Sequence, residues 1–166
     1  MLTLATNPNA ATQPATQPAT QPATQPATQP VTQPATQPAT QPSGVKVMVI
    51  DDSNTIRKSA EIFLTQAGYK VILAEDGFDA LSKITDHQPE IVFCDILMPR
   101  LDGYQTCALI KKNPRFARTP VVMLSSRDGL FDRARGRMAG SDRYLTKPFT
   151  RDSLLQALDA LLPQRT

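Results

Sequence analysis

Asp51, Asp52, Asp95, Ser125 and Lys147 come from distant parts of the chain, yet each lies within two residues of the end of a short run with strand character. If the fold gathers them, their chemistry is restricted. Three carboxylates held together repel, so at least one pKa rises unless a cation neutralises them. Mg²⁺ is suited to neutralising them, since it prefers oxygen ligands, keeps several waters, and takes one or two carboxylates together with a phosphate. His87, Cys94 and Cys107 are too few and too scattered to form a zinc site. Lys147 adds a second positive charge, and the Ser125 hydroxyl can donate to a phosphoryl oxygen. The set reads as a place where a phosphoryl group arrives at a carboxylate, a reaction that needs mainly positioning and charge neutralisation. Its plainer alternative is that Asp51 and Asp52 are loop acids beside the positive end of the first helix.

The elements that must position these residues alternate along the chain. VKVMVI (45–50), VILA (71–74), IVFCD (91–95), PVVML (120–124) and RYL (143–145) read as strands. Between them the apolar residues take helical spacing. Ile56, Ala60, Phe63, Leu64 and Ala67 recur on one face, and Gly68 ends that helix. Ser53 or Asn54 can cap its start. Thr150 can cap the last helix, whose Leu154, Leu155, Leu158, Leu161 and Leu162 form a stripe before Pro163. Five nearly continuous apolar strands alternating with five helices imply an α/β fold with a parallel sheet covered on both faces. Such sheets bind ligands outside the carboxyl ends of their strands, where the strand order reverses. All five candidate residues fall at that edge.

Charge divides the chain. Residues 1–43 contain no Asp, Glu, Lys, Arg or His, and residues 11–42 are eight copies of ATQP, one of them VTQP at 31–34. ATNP at 5–8 is a worn further copy. Proline every fourth residue removes backbone donors, and Ala, Thr and Gln provide little apolar area to offset chain entropy. The arm is expected to be disordered with polyproline II character, reaching on the order of 100 Å at about 3.1 Å per residue. Residues 44–166 suit one globular domain. No basic region followed by an apolar run opens the chain, and no stretch approaches a membrane span, so a cytoplasmic protein without membrane insertion is expected. A formal charge of +3 is too small to argue for nucleic-acid binding. Cys94 and Cys107 read as inert buried thiols.

The globular part resembles the response-regulator receiver domains, the CheY-like family. VIDDS, FCDILMPRLDG, VVMLSS and YLTKPF occur in the family's order and at matching spacing. The resemblance implies a (βα)5 doubly wound five-stranded sheet of flavodoxin-like order 2-1-3-4-5. It implies that Asp95 is the phosphoacceptor and that Asp52, Asp95 and the Leu97 backbone carbonyl bind Mg²⁺, with Asp51 holding metal-bound water. Ser125 is then the switch hydroxyl, Tyr144 the switch aromatic and Lys147 the phosphate contact, with a cis peptide before Pro148. A histidine kinase would be the phosphodonor. Output would be a protein contact through helix four, strand five and helix five, since no output domain is expected after Thr166. DGFDALSKI, MPRLDGYQTCALIKK and MLSSRDGLFDRARGRMAGSDRYLTKPF narrow the resemblance to the receivers of chemosensory systems controlling type IV pilus twitching motility. The pilus extension machinery or its regulators would then be the target. The repeat arm departs from that pattern and leaves the phosphorylation chemistry untouched.

Other readings stand beside these. Tyr144 is by default a half-buried strand aromatic, and His87 a surface residue near a helix end. Gly103 is either a turn glycine or a close approach beside the acids. The segment 127–143, with Arg133, Arg135 and Arg137 on a helix interrupted by Gly136, is either a solvated face balanced by Asp128, Asp132 and Asp142 or an easily shifted docking surface. Leu97 and Arg127 are not evident orienters of hydrolytic water, which implies a long-lived phosphoryl state. An aspartate-nucleophile phosphohydrolase would need Asp-x-Asp after the first strand, where this chain has Asp51-Asp52-Ser53, and no glycine-rich dinucleotide turn is present. A phosphate-independent binding module and a phosphorelay shuttle to a histidine phosphotransfer domain share the receiver residues.

Overall fold

The computed structural model describes residues 44–127 and 129–163. The repeat arm and Asp128 lie outside the described residues. Five strands and five helices alternate: β1 (Lys46–Ile50), α1 (Asn54–Gln66), β2 (Lys70–Ala74), α2 (Gly77–His87), β3 (Ile91–Asp95), α3 (Gly103–Lys112), β4 (Val121–Ser125), α4 (Leu130–Met138), β5 (Arg143–Thr146) and α5 (Arg151–Leu161). All four strand pairings are parallel and the order is β2-β1-β3-β4-β5. This is the doubly wound flavodoxin-like sheet that the receiver resemblance implies.

Alternation along each strand divides the core. Met48 and Ile50 face one side with Ala80 and Ile84 of α2 and Tyr104, Cys107 and Ile110 of α3. Val47 and Val49 face the other with Ala60 and Leu64 of α1 and Leu154, Ala157 and Leu158 of α5. β1, β3 and β4 are almost wholly buried because they lie inside the sheet, covered above and below. β3 matches the sequence reading, and the other four strands differ from it by one residue at one or both ends. Pro120 lies before β4: its carbonyl accepts the Val92 N–H at 2.9 Å, but it has no N–H to offer, so the ladder starts at Val121. Ser125 instead belongs to the strand.

Local chemistry explains the helix ends. Ser53, not Asn54, caps α1, accepting from the Ile56 N–H. Asp102 caps α3 in a reciprocal capping box with Gln105, and Thr150 does the same for α5 with Ser153. α4 is not interrupted at Gly136. That residue is buried, and a β-carbon there would stand 3.0 Å from Ser141 Oγ and 3.7 Å from Met123 Cγ, so its glycine lets the helix lie close on the sheet. Cys94 and Cys107 are free and fully buried. Burial pushes both thiols up, Cys107 to about 11.

Candidate acidic site at the carboxyl edge of the sheet

Register builds the site. Ile50 pairs with Cys94, so the residues that follow, Asp51 and Asp95, sit side by side at the switch point between β1 and β3. Asp95 pairs with Leu124, and Ser125 pairs with Thr146, which sets Ser125 and Lys147 along the same edge. Carboxylate oxygens of Asp51, Asp52 and Asp95 come within 4.8 Å of one another.

Lys147 reaches into this cluster from the far side of the sheet. Its Nζ lies 2.7 Å from Asp51 Oδ2 and 2.9 Å from Asp95 Oδ1. Its backbone N–H donates to the Ser125 carbonyl, and the Lys147–Pro148 peptide is cis. Asp51 is fully buried, and its other oxygen, Oδ1, accepts the Ser53 N–H at 2.9 Å. The Arg57 guanidinium donates to the Asp51 backbone carbonyl at 2.6 Å. Asp52 is exposed, so the cluster opens to solvent on that side. Burial raises the Asp95 pKa; the Lys147 hydrogen bond opposes this, while the Asp51 and Asp52 charges add to it. Burial disfavours the Lys147 ammonium, but hydrogen bonds to Asp51 and Asp95 outweigh it and raise its pKa.

One ammonium thus bridges two of the three clustered carboxylates. The donors that converge are all oxygens, and the net charge is negative, which fits a hard divalent cation such as Mg²⁺ and not a thiolate- or imidazole-bound metal. Ser125 is buried, and its Oγ accepts the Arg127 N–H at 3.0 Å, leaving the hydroxyl hydrogen to donate elsewhere. Leu97, two residues past Asp95, is 63% exposed, so its side chain is not what holds that loop. Gly103 is a close approach: a β-carbon there would lie 2.2 Å from the Asp95 carbonyl oxygen and 2.7 Å from Ile96 Cα. Only hydrogen fits.

Two tyrosines flank α4. The Tyr144 hydroxyl donates to the Arg127 carbonyl at 2.5 Å, and Arg133 stacks on its ring at 5.5 Å. Tyr104, which sequence reasoning passed over, is buried at the start of α3, and its hydroxyl lies 3.1 Å from Asp132 Oδ1. Arg135 stacks on its ring at 4.6 Å. An aromatic in an otherwise apolar helix face gives no sign in sequence that a partner waits 28 residues away. Asp76 and Arg100 were likewise passed over, though they form an ion pair at the head of the adjacent loop. His87 is exposed, as expected; its backbone carbonyl accepts from Lys46 Nζ.

The fold agrees with what comparison finds. The profile of the response regulator receiver domain matches residues 47–159, and the chain belongs to that family. Among individual relatives, Protein PilG of Pseudomonas aeruginosa is 64% identical over 123 residues, covering 74% of this chain and 91% of PilG. Response regulator MprA of Mycobacterium sp. strain KMS is 39% identical over 118 residues, which is 71% of this chain but 50% of MprA. Chemotaxis protein CheY4 of Vibrio cholerae superposes with a TM-score of 0.70 at 30% identity, covering 72% of this chain and all of CheY4. The Francisella response regulator 1452 receiver domain superposes with a TM-score of 0.65 at 33% identity, over 70% of this chain and 95% of that one. Among the described residues, no helix is long and apolar enough to cross a membrane.

Proposed function

We propose that residues 44–166 act as a phosphorylatable receiver, with 1–43 as a separate arm, and that Asp95 accepts a phosphoryl group from a histidine kinase. The observation that carries this reading is the single ammonium of Lys147 bridging Asp51 and Asp95 within the three-carboxylate cluster. A carboxylate oxygen of Asp95 bonds to phosphorus as the phosphorus–nitrogen bond of phosphohistidine breaks, its electron pair returning to the imidazole. Lys147 holds the Asp95 carboxylate in place before transfer and meets the phosphoryl oxygens after it. The Ser125 hydroxyl donates to a phosphoryl oxygen, a contact made only in the phosphorylated state.

Asp52, Asp95 and the Leu97 carbonyl would hold Mg²⁺ directly, with Asp51 acting through its water. When bound, the ion supplies the positive charge that the cluster lacks and neutralises phosphoryl oxygens. If Ser125 and Lys147 contact the phosphoryl group better in one conformation of α4 than in the other, phosphorylation shifts the equilibrium between those conformations. Tyr144, bonded to the β4–α4 loop at Arg127, reports that shift. Leu130, Phe131 and Met138 stand 84%, 92% and 88% exposed on α4, which supports output by protein contact through α4, β5 and α5. The likeness to PilG favours a cytoplasmic role in a chemosensory system controlling type IV pilus twitching motility, with the extension machinery or its regulators as target.

The test is phosphorylation with Mg²⁺ and acetyl phosphate, read by intact mass for wild type and Asp95→Asn. One added phosphoryl group in the wild type alone is expected. No gain, with acetyl phosphate or with a cognate kinase, would sink the reading in favour of a phosphate-independent binding module.

A further inference from the structure

The loop between β3 and α3 spans residues 96–102 and includes Leu97. Its base is closed by the Gly103 N–H donating to the Ile96 carbonyl at 2.9 Å, and Ile96 and Met98 turn inward to 5% and 8% exposure. Leu97 points outward, so nothing in its own side chain fixes its carbonyl. Beyond these core contacts and the Ile96 N–H bond to the Leu124 carbonyl, a side-chain tie to α2 lies three residues past Leu97. Arg100 adopts φ 67°, a left-handed conformation uncommon for a residue with a side chain and maintained only where the surroundings determine it. Its Nη2 donates to Asp76 Oδ2, and its guanidinium rests 5.5 Å over the Phe78 ring.

Asp76 is a firm anchor. It is 8% exposed, and its other oxygen, Oδ1, caps α2 by accepting the Asp79 N–H at 2.8 Å. The start of α2 also touches the loop itself: a β-carbon on Gly77 would meet Leu101 Cδ2 at 2.7 Å. We propose that Arg100 is a positioning residue for the cation site, its guanidinium clamped between Asp76 and Phe78 so that the loop presents the Leu97 carbonyl beside Asp52 and Asp95. This rests on the proposed cation site and names the residue that sets the geometry of one ligand. The Arg100 side chain is 66% exposed, so the ion pair adds little to global stability and its effect is local.

The experiment measures Mn²⁺ binding by loss of the free-ion EPR signal, beside thermal unfolding, on the full chain. Arg100→Gly relieves the left-handed backbone while removing the clamp. Asp76→Asn keeps an N-cap while removing the charge. Each variant is expected to weaken Mn²⁺ binding by about three- to tenfold, at or below the low end of what losing a support behind a metal ligand costs, with an unchanged unfolding midpoint. The double variant should bind no more weakly than either single one, because both remove the same tie. Wild-type affinity in Arg100→Gly and Asp76→Asn, or an additive double variant, overturns the clamp and leaves the cation site standing. A wild type that binds no Mn²⁺, or an Asp52→Asn variant that binds it unweakened, overturns the cation reading and this inference with it.

Discussion

Replacing Lys147 by Met keeps most of the side-chain volume and removes the ammonium, with both its charge and its hydrogen bonds to Asp51 and Asp95. The lysine side chain is 13% exposed, and those of its partners 0% and 5%. Its loss leaves Asp51 buried with the Ser53 N–H as support and sets three carboxylates against each other without their ammonium. Truncating one member of a buried ion pair costs about 3–5 kcal/mol. Asp95 can relieve part of this by taking up a proton, since its pKa is already raised by burial. The lower end, about 3 kcal/mol, is therefore expected at neutral pH in chelator. With a urea slope of about 1.5 kcal/mol per molar, the unfolding midpoint falls by roughly 2 M. The cause is uncompensated negative charge, so millimolar Mg²⁺ should restore more stability to the variant than it adds to the wild type. Urea titrations of both proteins, with EDTA and with Mg²⁺, measure this. A loss below about 1 kcal/mol in EDTA, or a loss that Mg²⁺ leaves unchanged, refutes the view that Lys147 is the cluster's internal counter-charge.

Two further outcomes follow from packing and from titration. Gly103→Ala pushes a methyl into the Asp95 backbone carbonyl at 2.2 Å, which cannot swing aside as a side chain would, and should cost about 3 kcal/mol, whereas Gly136→Ala meets the Ser141 hydroxyl at 3.0 Å and gains helix propensity, so its effect stays within about 1 kcal/mol; denaturation midpoints that rank the two in the opposite order contradict the geometry. Burial, followed by the hydrogen bond to Asp132, raises Tyr104 to about 12 from 10.0. A raised folded pKa means the folded state holds its proton more tightly, so this stability is complete below the unfolded value and is lost as pH rises from about 10 to 12. Tyr104→Phe should flatten the stability profile across that alkaline window, and an identical slope in both proteins would show that the phenol is not so held.

Much of the site is legible in the sequence, for a physical reason. Strands buried on both faces read as unbroken apolar runs, so a charged residue at the end of one is conspicuous. Asp51, Asp52 and Asp95 each break such a run or stand just past it, whereas Lys147 follows the part-buried edge strand β5 and is legible through the YLTKPF motif. Capping is also local, which is why Thr150 is readable as the start of α5. Gly136 is readable only as a weak point in a helix, because propensity says nothing about which face lies against the sheet. Gly103 stays between two readings for the same reason: the atom that excludes a side chain belongs to Asp95, eight residues earlier and brought back by the turn of the loop.

The sequence by itself determined the alternation of strands and helices, the contrast between the charge-free residues 1–43 and the charged remainder, and the residue types that collect at one sheet edge. Each of these rests on periodicity, composition or nearest-neighbour chemistry. Tertiary structure alone decided that Lys147 crosses 96 positions to bridge Asp51 and Asp95, that Arg100 reaches back to Asp76, and that Tyr104 finds Asp132. Those contacts depend on parallel strands brought side by side in register by crossover helices, and on two helix layers that choose opposite faces of the sheet. A parallel pairing is set by where its buried faces pack, and no short stretch of chain encodes that.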